Sequence, residues 1–270
     1  QSVDSWEGIF ILDKGADTKT KKIFNSFKHP RILKHRCRHH KGAEQARHKA
    51  IKLSSTNWYF QLDSDDKIPP YAISEILNKI RENPDAEFIY GPTMHFSKTS
   101  SFLMPPSKNQ EVLSTSALFS SQMPIKIPMY FRLGGYTNEL KYFAADWDFW
   151  LSVYERNIVG AETKKILYHR RNHGNNVIAR NMSKWPEAIK IIIGRHPKFF
   201  SKSKRKRKAL YFVYEKLARH YRTKRNRKKA AFYANIALKN GPSTKTLNEI
   251  LIEEKMSKVR YAIRLAGKLL

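Results

Sequence analysis

The chain has 270 residues, of which 41% are hydrophobic and 12% aromatic, enough to build a packed core and to exclude an intrinsically disordered polypeptide. A single cysteine, Cys37, excludes an internal disulfide, and no apolar run approaches the ~18 residues of a bilayer-spanning helix, so a cytosolic chain is expected. The formal net charge is +29, and from Arg195 onward 23 Lys and Arg stand against 4 Asp and Glu, a field that attracts nucleic acid, anionic membrane or other polyanions.

In chain order, "GIFIL" predicts a buried strand ending at Leu12, followed by a loop with Asp13, Gly15 and Asp17 and a helix to about Phe27. "PRILKH" is a second short strand. "KGAEQARHKAIKLSST" has helical spacing after a glycine start, and "WYFQL" is an aromatic strand. "PPYAISEILNKIREN" is helical between its prolines and Asn83-Pro84, and "EFIYG" gives another strand. The stretch from Thr93 to Pro128 shows no clean period and reads as loop with short elements. A turn at Gly134-Gly135 then leads to a helix with Asp146 and Asp148 in its first turn, and "KKILYHRRNHGNN" is a strand running into a polar loop. This alternation argues for an α/β fold, a mostly parallel sheet with flanking helices.

Beyond "SKWPEAIKIIIG" the texture changes. "SKSKRKRK" is a basic run suited to a linker or a helix start. "ALYFVYEKLARHY" places Leu210, Val213, Leu217 and Tyr221 on one stripe, and "KKAAFYANIALKNGP" is a second amphipathic helix stopped by Gly241-Pro242. Two further helical segments are expected between Ser243 and Leu270. The expected division is residues 1–180 as an α/β domain and 181–270 as a basic helical module.

The chemistry gathers at "YFQLDSDDKIPP", where Asp63, Asp65 and Asp66 follow a strand. Carboxylates so close repel, and a cation would hold them together. Side chains two apart on a strand exit point the same way, so Asp63 and Asp65 can face one ligand, and hard Mg²⁺ or Mn²⁺ takes one or two carboxylates plus substrate phosphates. An aspartate-rich surface turn before prolines is the plain alternative. In open sheets ligands bind outside the carboxyl ends of strands, and Asp13, the 63–66 cluster and Asp146 all stand at such ends.

"GAEQARHKAIKLSSTNWYFQLDSDDKIPPYAI", "LGGYTNELKYFAADWDFWLSVYERN" and "ILYHRRNHGNN" together resemble the motifs of family-two nucleotide-sugar glycosyltransferases, in the right order, over roughly residues 1 to 180. The resemblance implies a GT-A fold, with a Rossmann-like nucleotide-binding half merged with an acceptor-binding half, and the chain enters that pattern at the approach to the second strand. Carried over, Asp13 would contact the nucleotide base and Asp63 and Asp65 form the D-x-D, with Asp65 the direct ligand of Mn²⁺ or Mg²⁺ and Asp66 its support. Asp146 would be the general base and His173 would reach the metal or the diphosphate, while Arg47 and Arg170 would assist the phosphates. Lys14, His48 and Ala145 depart from the family's usual Asp, Asn and Glu.

The implied reaction is a single displacement with inversion. One sugar would pass from a nucleotide-diphosphate donor, a UDP-sugar first among them, to a hydroxyl of a glycan or lipid-linked acceptor. The setting would be cytoplasmic, on the inner face of an anionic membrane. Two other readings stand beside it: a nucleic-acid- or polyanion-binding protein using "SKSKRKRK" and "RTKRNRKKA", and a catalytically degenerate transferase-like binding module.

Overall fold

The computed structural model of the chain describes residues 1–38, 42–107, 109–140, 144–172 and 181–266, with side chains as far as Val259. It divides into two compact units, residues 1–110 with 117–176, and residues 111–116 with 177–270.

The first unit opens with β1 (Gly8–Leu12), α1 (Thr18–Ser26), β2 (Ile32–Arg36) and α2 (Ala43–Leu53). Asp17 caps α1 by accepting the Thr20 N–H at 2.6 Å, satisfying a helix-end donor. There follow β3 (Trp58–Tyr59), α3 (Ala72–Glu82), β4 (Phe88–Tyr90), β5 (Thr93–Phe96), β6 (Ser101–Met104) and β7 (Ile125–Lys126). The unit then runs through α4 (Ile127–Arg132), α5 (Ala145–Glu155), β8 (Gly160–Glu162) and β9 (Tyr168–Arg171). Of "WYFQL" only Trp58 and Tyr59 join a ladder, so the acidic motif leaves from a segment that pairs with no strand among the described residues.

The strands are distributed over three short sheets, in the orders β1-β2, β3-β7-β4-β8 and β6-β5-β9. Parallel pairings join β1 to β2, β4 to β8 and β5 to β9, the pattern that intervening helices require. Antiparallel pairings join β3 and β4 to β7, and β5 to β6. Helix α3 lays Ile73, Ile76 and Ile80, spaced by three and four, against Trp58, Phe60, Ala86, Ile89, Ala161 and Leu167. Helix α5 is buried along almost its whole length, Trp147 and Trp150 included, and Trp150 meets Phe88 and Phe119 edge-on at 5.1 Å each. Each such side chain is worth roughly 1.5–3 kcal/mol of burial.

The second unit is helical: α6 (Trp185–Arg195), α7 (Pro197–Phe200), α8 (Ser203–Thr223), α9 (Arg227–Asn240) and α10 (Lys245–Ala266). The basic run is the start of α8 and no linker. Val213, Leu217 and Ala218 of α8 are buried against a row of alanines on α9, Ala230, Ala234 and Ala237, small enough to let the two backbones approach. Tyr233 stacks between Tyr214 and Tyr221 at 6.0 and 5.5 Å. The two helical segments expected after Ser243 are instead the single helix α10, because no glycine or proline interrupts the sequence between Lys245 and Ala266. Among the described residues no helix is long and apolar enough to cross a membrane.

Candidate active site

The carboxyl ends of β1 and β2, with the face of α2, enclose a hollow of about 400 Å³. Asp13 lines it together with the cations Arg38 and Lys49 and the imidazoles of His35 and His48, and Cys37 lies there too. Helix α2 begins at Gly42, whose φ of 81° lies in the left-handed region open to glycine, and this turns α2 to present Gln45, Ala46 and Lys49 to the hollow.

Three residues apart on α2, Glu44 and Arg47 share a helix face, and Arg47 Nη1 donates to Glu44 Oε1 at 2.7 Å. The other guanidinium nitrogen, Nη2, donates to both oxygens of Asp63 at 2.9 and 3.2 Å. Gln61 Nε2 adds a bond to Asp63 Oδ1 at 3.2 Å and Gln122 Nε2 one to Oδ2 at 2.8 Å, so Asp63 is gripped by donors from three parts of the chain. Burial opposes the Arg47 charge, but Glu44 and Asp63 outweigh it and raise its pKa further above the ordinary arginine value. For Glu44 burial dominates and raises the pKa; Arg47 pulls the other way, and the charges of Asp146 and Asp63 reinforce the rise. Glu44 and Asp63 are therefore both paired to Arg47, and Asp146 is near enough for its charge to act on Glu44 and for that of Arg47 to act on it.

Asp146 stands in the first turn of α5. The N-cap position is Ala144, held at φ 66°, and it makes no side-chain cap; Asp146 Oδ1 accepts the Trp147 N–H at 2.9 Å. Burial raises the pKa of Asp146 above the usual carboxylate value, opposed by that N–H and by the charges of Arg47 and Arg170. Arg170 is exposed on β9, and its field also reaches His95. The turn before α5 is shaped by Gly134 and Gly135, at φ 83° and 64°. Gly135 lies against Tyr130, whose hydroxyl accepts the Tyr136 N–H at 3.2 Å and meets His48 Nδ1 at 3.2 Å. Burial pushes the Tyr130 hydroxyl up to about 12.

The last two acids of the motif behave differently. Asp66 is tied down: Oδ2 accepts the Tyr168 hydroxyl, Oδ1 accepts the Arg171 N–H at 2.7 Å, and burial raises its pKa. Arg171 Nε also donates to the backbone carbonyl of Asp65 at 2.8 Å, and Lys67 and His169 exchange backbone bonds of 3.0 and 2.8 Å. The motif is thus stitched to β9, with the Asp65 side chain exposed at its tip. Among the described residues no group of three or more His, Cys, Asp or Glu is arranged to hold a metal ion. His173 lies outside the described residues. Asp65 is exposed beside Asp63 and Asp66, and a hard cation there would draw most of its ligands from substrate phosphates and water.

The residues that the sequence did not single out are Glu44, Gln61, Gln122, Tyr168 and Arg171. Glu44 had a signal in its three-residue spacing from Arg47, and it brings a carboxylate to the surroundings of Asp146 while position 145 itself is alanine. Gln122 had none, since it lies in the stretch without periodicity.

The chain is similar to known proteins in sequence and in fold. The model of the family described as Glycosyl transferase family 2 matches residues 1–135. Among curated proteins, a glycosyltransferase of Haemophilus influenzae, itself uncharacterised, is 28% identical over 120 residues, 42% of this chain and 40% of its own length. The chondroitin synthase of Escherichia coli is 26% identical over 182 residues, 64% of this chain and 26% of its own. The chain thus spans less than half the length of either. Among solved structures, S. aureus TarS 1–349 matches with a TM-score of 0.51 at 14% identity, covering 87% of this chain and 79% of that one. The same protein in complex with UDP-GlcNAc matches with a TM-score of 0.50 at 12% identity, covering 87% and 80%. The structural likeness establishes the GT-A fold, and with half of the sequence matched to the family model the chain belongs to glycosyl transferase family 2.

Proposed function

We propose that the chain transfers a single sugar from a nucleotide-diphosphate donor, a UDP-sugar in the first instance, to a hydroxyl of a glycan or lipid-linked acceptor, with inversion at the anomeric carbon. The observation that carries this reading is that Arg47 pairs with Asp63 while its charge also acts on the buried Asp146, so the residue read as nucleotide-side and the one read as proton acceptor share one electrostatic environment. The UDP and UDP-GlcNAc complexes of the S. aureus relative support a uridine nucleotide as the donor's carrier.

In this reading the donor's base and ribose occupy the hollow at Asp13, and its diphosphate lies toward the cations Arg38 and Lys49. Asp146, with its raised proton affinity, removes the acceptor proton as that oxygen attacks, and a base poised nearer neutrality does so more effectively than an ordinary carboxylate. Arg47 keeps Glu44 and Asp63 paired, so that Asp146 is not crowded by uncompensated charge. Arg170, exposed and close enough to act on Asp146, is the cation available to the departing diphosphate. A divalent Mn²⁺ or Mg²⁺ at Asp65, when bound, would neutralise diphosphate charge.

The test is thermal stability with UDP or GDP and Mn²⁺, followed by nucleotide release from UDP-sugars. A nucleotide-dependent shift lost in Asp65→Ala, with release lost and binding retained in Asp146→Asn, supports the transferase. Binding without release in the unaltered chain, whatever acceptor is supplied, would mean a binding module instead.

A further inference from the structure

One end of the helical unit carries charge and apolar surface that its own packing does not use. Between α8 and α9 the chain turns at Arg225, with φ 57°, and Lys224, Arg225, Lys228 and Lys229 are all exposed. No acidic residue stands in the first turn of α9, so Arg227, Lys228 and Lys229 face the positive end of the helix dipole, an arrangement unfavourable in water and relieved by an anion. The neighbouring Arg222 is engaged by Glu249 and Glu253 at 2.9 and 2.6 Å, which leaves the turn itself strongly cationic.

Arg227 Nη1 lies 3.5 Å from Ser257 Oγ, which sets this turn beside the middle of α10. There Ile252, Met256 and Val259, spaced by four and three residues, form a stripe that is 55%, 50% and 58% exposed. It lies on the opposite side of the helix from Leu247 and Ile250, which are buried, with Lys255 on one flank and Glu249, paired with Arg222, on the other. Phe232, 60% exposed, stands one turn beyond Lys228 on α9.

Charge decides what covers this surface. A phosphodiester backbone would meet the cations and leave the apolar stripe with nothing to do. A second copy of the chain would cover the stripe but bring together two segments with 23 Lys and Arg against 4 Asp and Glu each. An anionic bilayer interface meets both, with headgroups for the cations and the acyl boundary for the stripe. We infer that this end of the helical unit docks on an anionic lipid surface, with the 224–229 turn at the headgroups and Ile252, Met256 and Val259 at the acyl boundary. The inference does not depend on the transfer reaction.

The experiment is co-sedimentation of the full chain with vesicles of phosphatidylcholine, alone or mixed with phosphatidylglycerol, with far-UV circular dichroism to confirm that each variant keeps its helices. Binding is expected only with phosphatidylglycerol and is expected to weaken with salt. At about fivefold per cation, the Lys224→Ala, Lys228→Ala pair should bind about 25-fold more weakly. Ile252→Ser with Met256→Ser should weaken binding while leaving its salt dependence unchanged. The inference is overturned if phosphatidylglycerol vesicles sediment none of the chain, if both variants bind as the parent does, or if the chain binds an oligonucleotide and ignores the vesicles. It is equally overturned if the stripe variant loses self-association on a sizing column but keeps its vesicle binding.

Discussion

Replacing Arg47 with methionine keeps most of its volume and removes the charge on which two carboxylates depend. Glu44 is the more costly partner, with its side chain only 14% exposed, and truncating one member of a buried pair strands the other's charge at a cost of about 3 kcal/mol, the low end of the usual range. Asp63 is 35% exposed and keeps its two glutamine donors, so solvent screening holds its share to about 0.5 kcal/mol. The total of roughly 3.5 kcal/mol corresponds to a fall in Tm of about 7–14 °C for a unit of this size. The loss should also depend on pH. Glu44 has a raised folded pKa even with Arg47 present, so its ionised form already works against the fold. Without Arg47 that pKa rises further, so the deficit is largest at neutral and higher pH and vanishes as pH falls below the unfolded value of 4.5, where Glu44 is protonated in both states. Urea melts followed by tryptophan fluorescence across that range measure this directly. A Glu44→Gln, Arg47→Met double variant should regain most of the stability, because the stranded charge is gone. A single variant within 1 kcal/mol of the parent at neutral pH, or a double variant no better than the single, would refute the reasoning.

Asp146→Asn should lower kcat by about 10²- to 10⁴-fold with donor binding little changed, and in the parent the acid limb of the kcat/KM profile should lie above the usual carboxylate range, read by initial rates against pH. Asp65 and Asp66 should separate cleanly in thermal melts. Asp66→Ala removes the acceptor of the Tyr168 hydroxyl and the Arg171 N–H and should cost about 1–3 kcal/mol, whereas Asp65→Ala should abolish the shift produced by nucleotide with Mn²⁺. The two glycines of the turn should also differ. Gly134→Ala meets nothing within 4 Å and should cost only the left-handed strain of about 1–2 kcal/mol, while at Gly135 a Cβ would lie 2.7 Å from the Tyr130 ring and the loss should be clearly larger in the same melts.

The elements of this fold were readable where local chemistry decides them. Asp17 signals the start of α1, the Ile73, Ile76 and Ile80 spacing gives α3, and the alanine row of α9 follows from its period. What local pattern does not encode is closure over distance. Glu44 and Arg47 share a face by spacing alone, but the pairing of Arg47 with Asp63 depends on how residues 54–62 are routed, which local spacing does not set. Gln122 serves Asp63 across 59 positions from a segment that read only as loop. The single long α10 was misjudged for the opposite reason: two segments were expected where the sequence holds no breaker.

The grip on Asp63 bears on how the rim meets a ligand. Held by Arg47, Gln61 and Gln122, and followed by an Asp66 fastened to β9, the acidic motif has its conformation set before anything arrives. Little ordering entropy is then lost on association at this point, so affinity for any ligand there should respond more to that ligand's chemistry than to loop stiffness. Mutations that loosen the clasp should speed dissociation without touching any atom of the bound molecule.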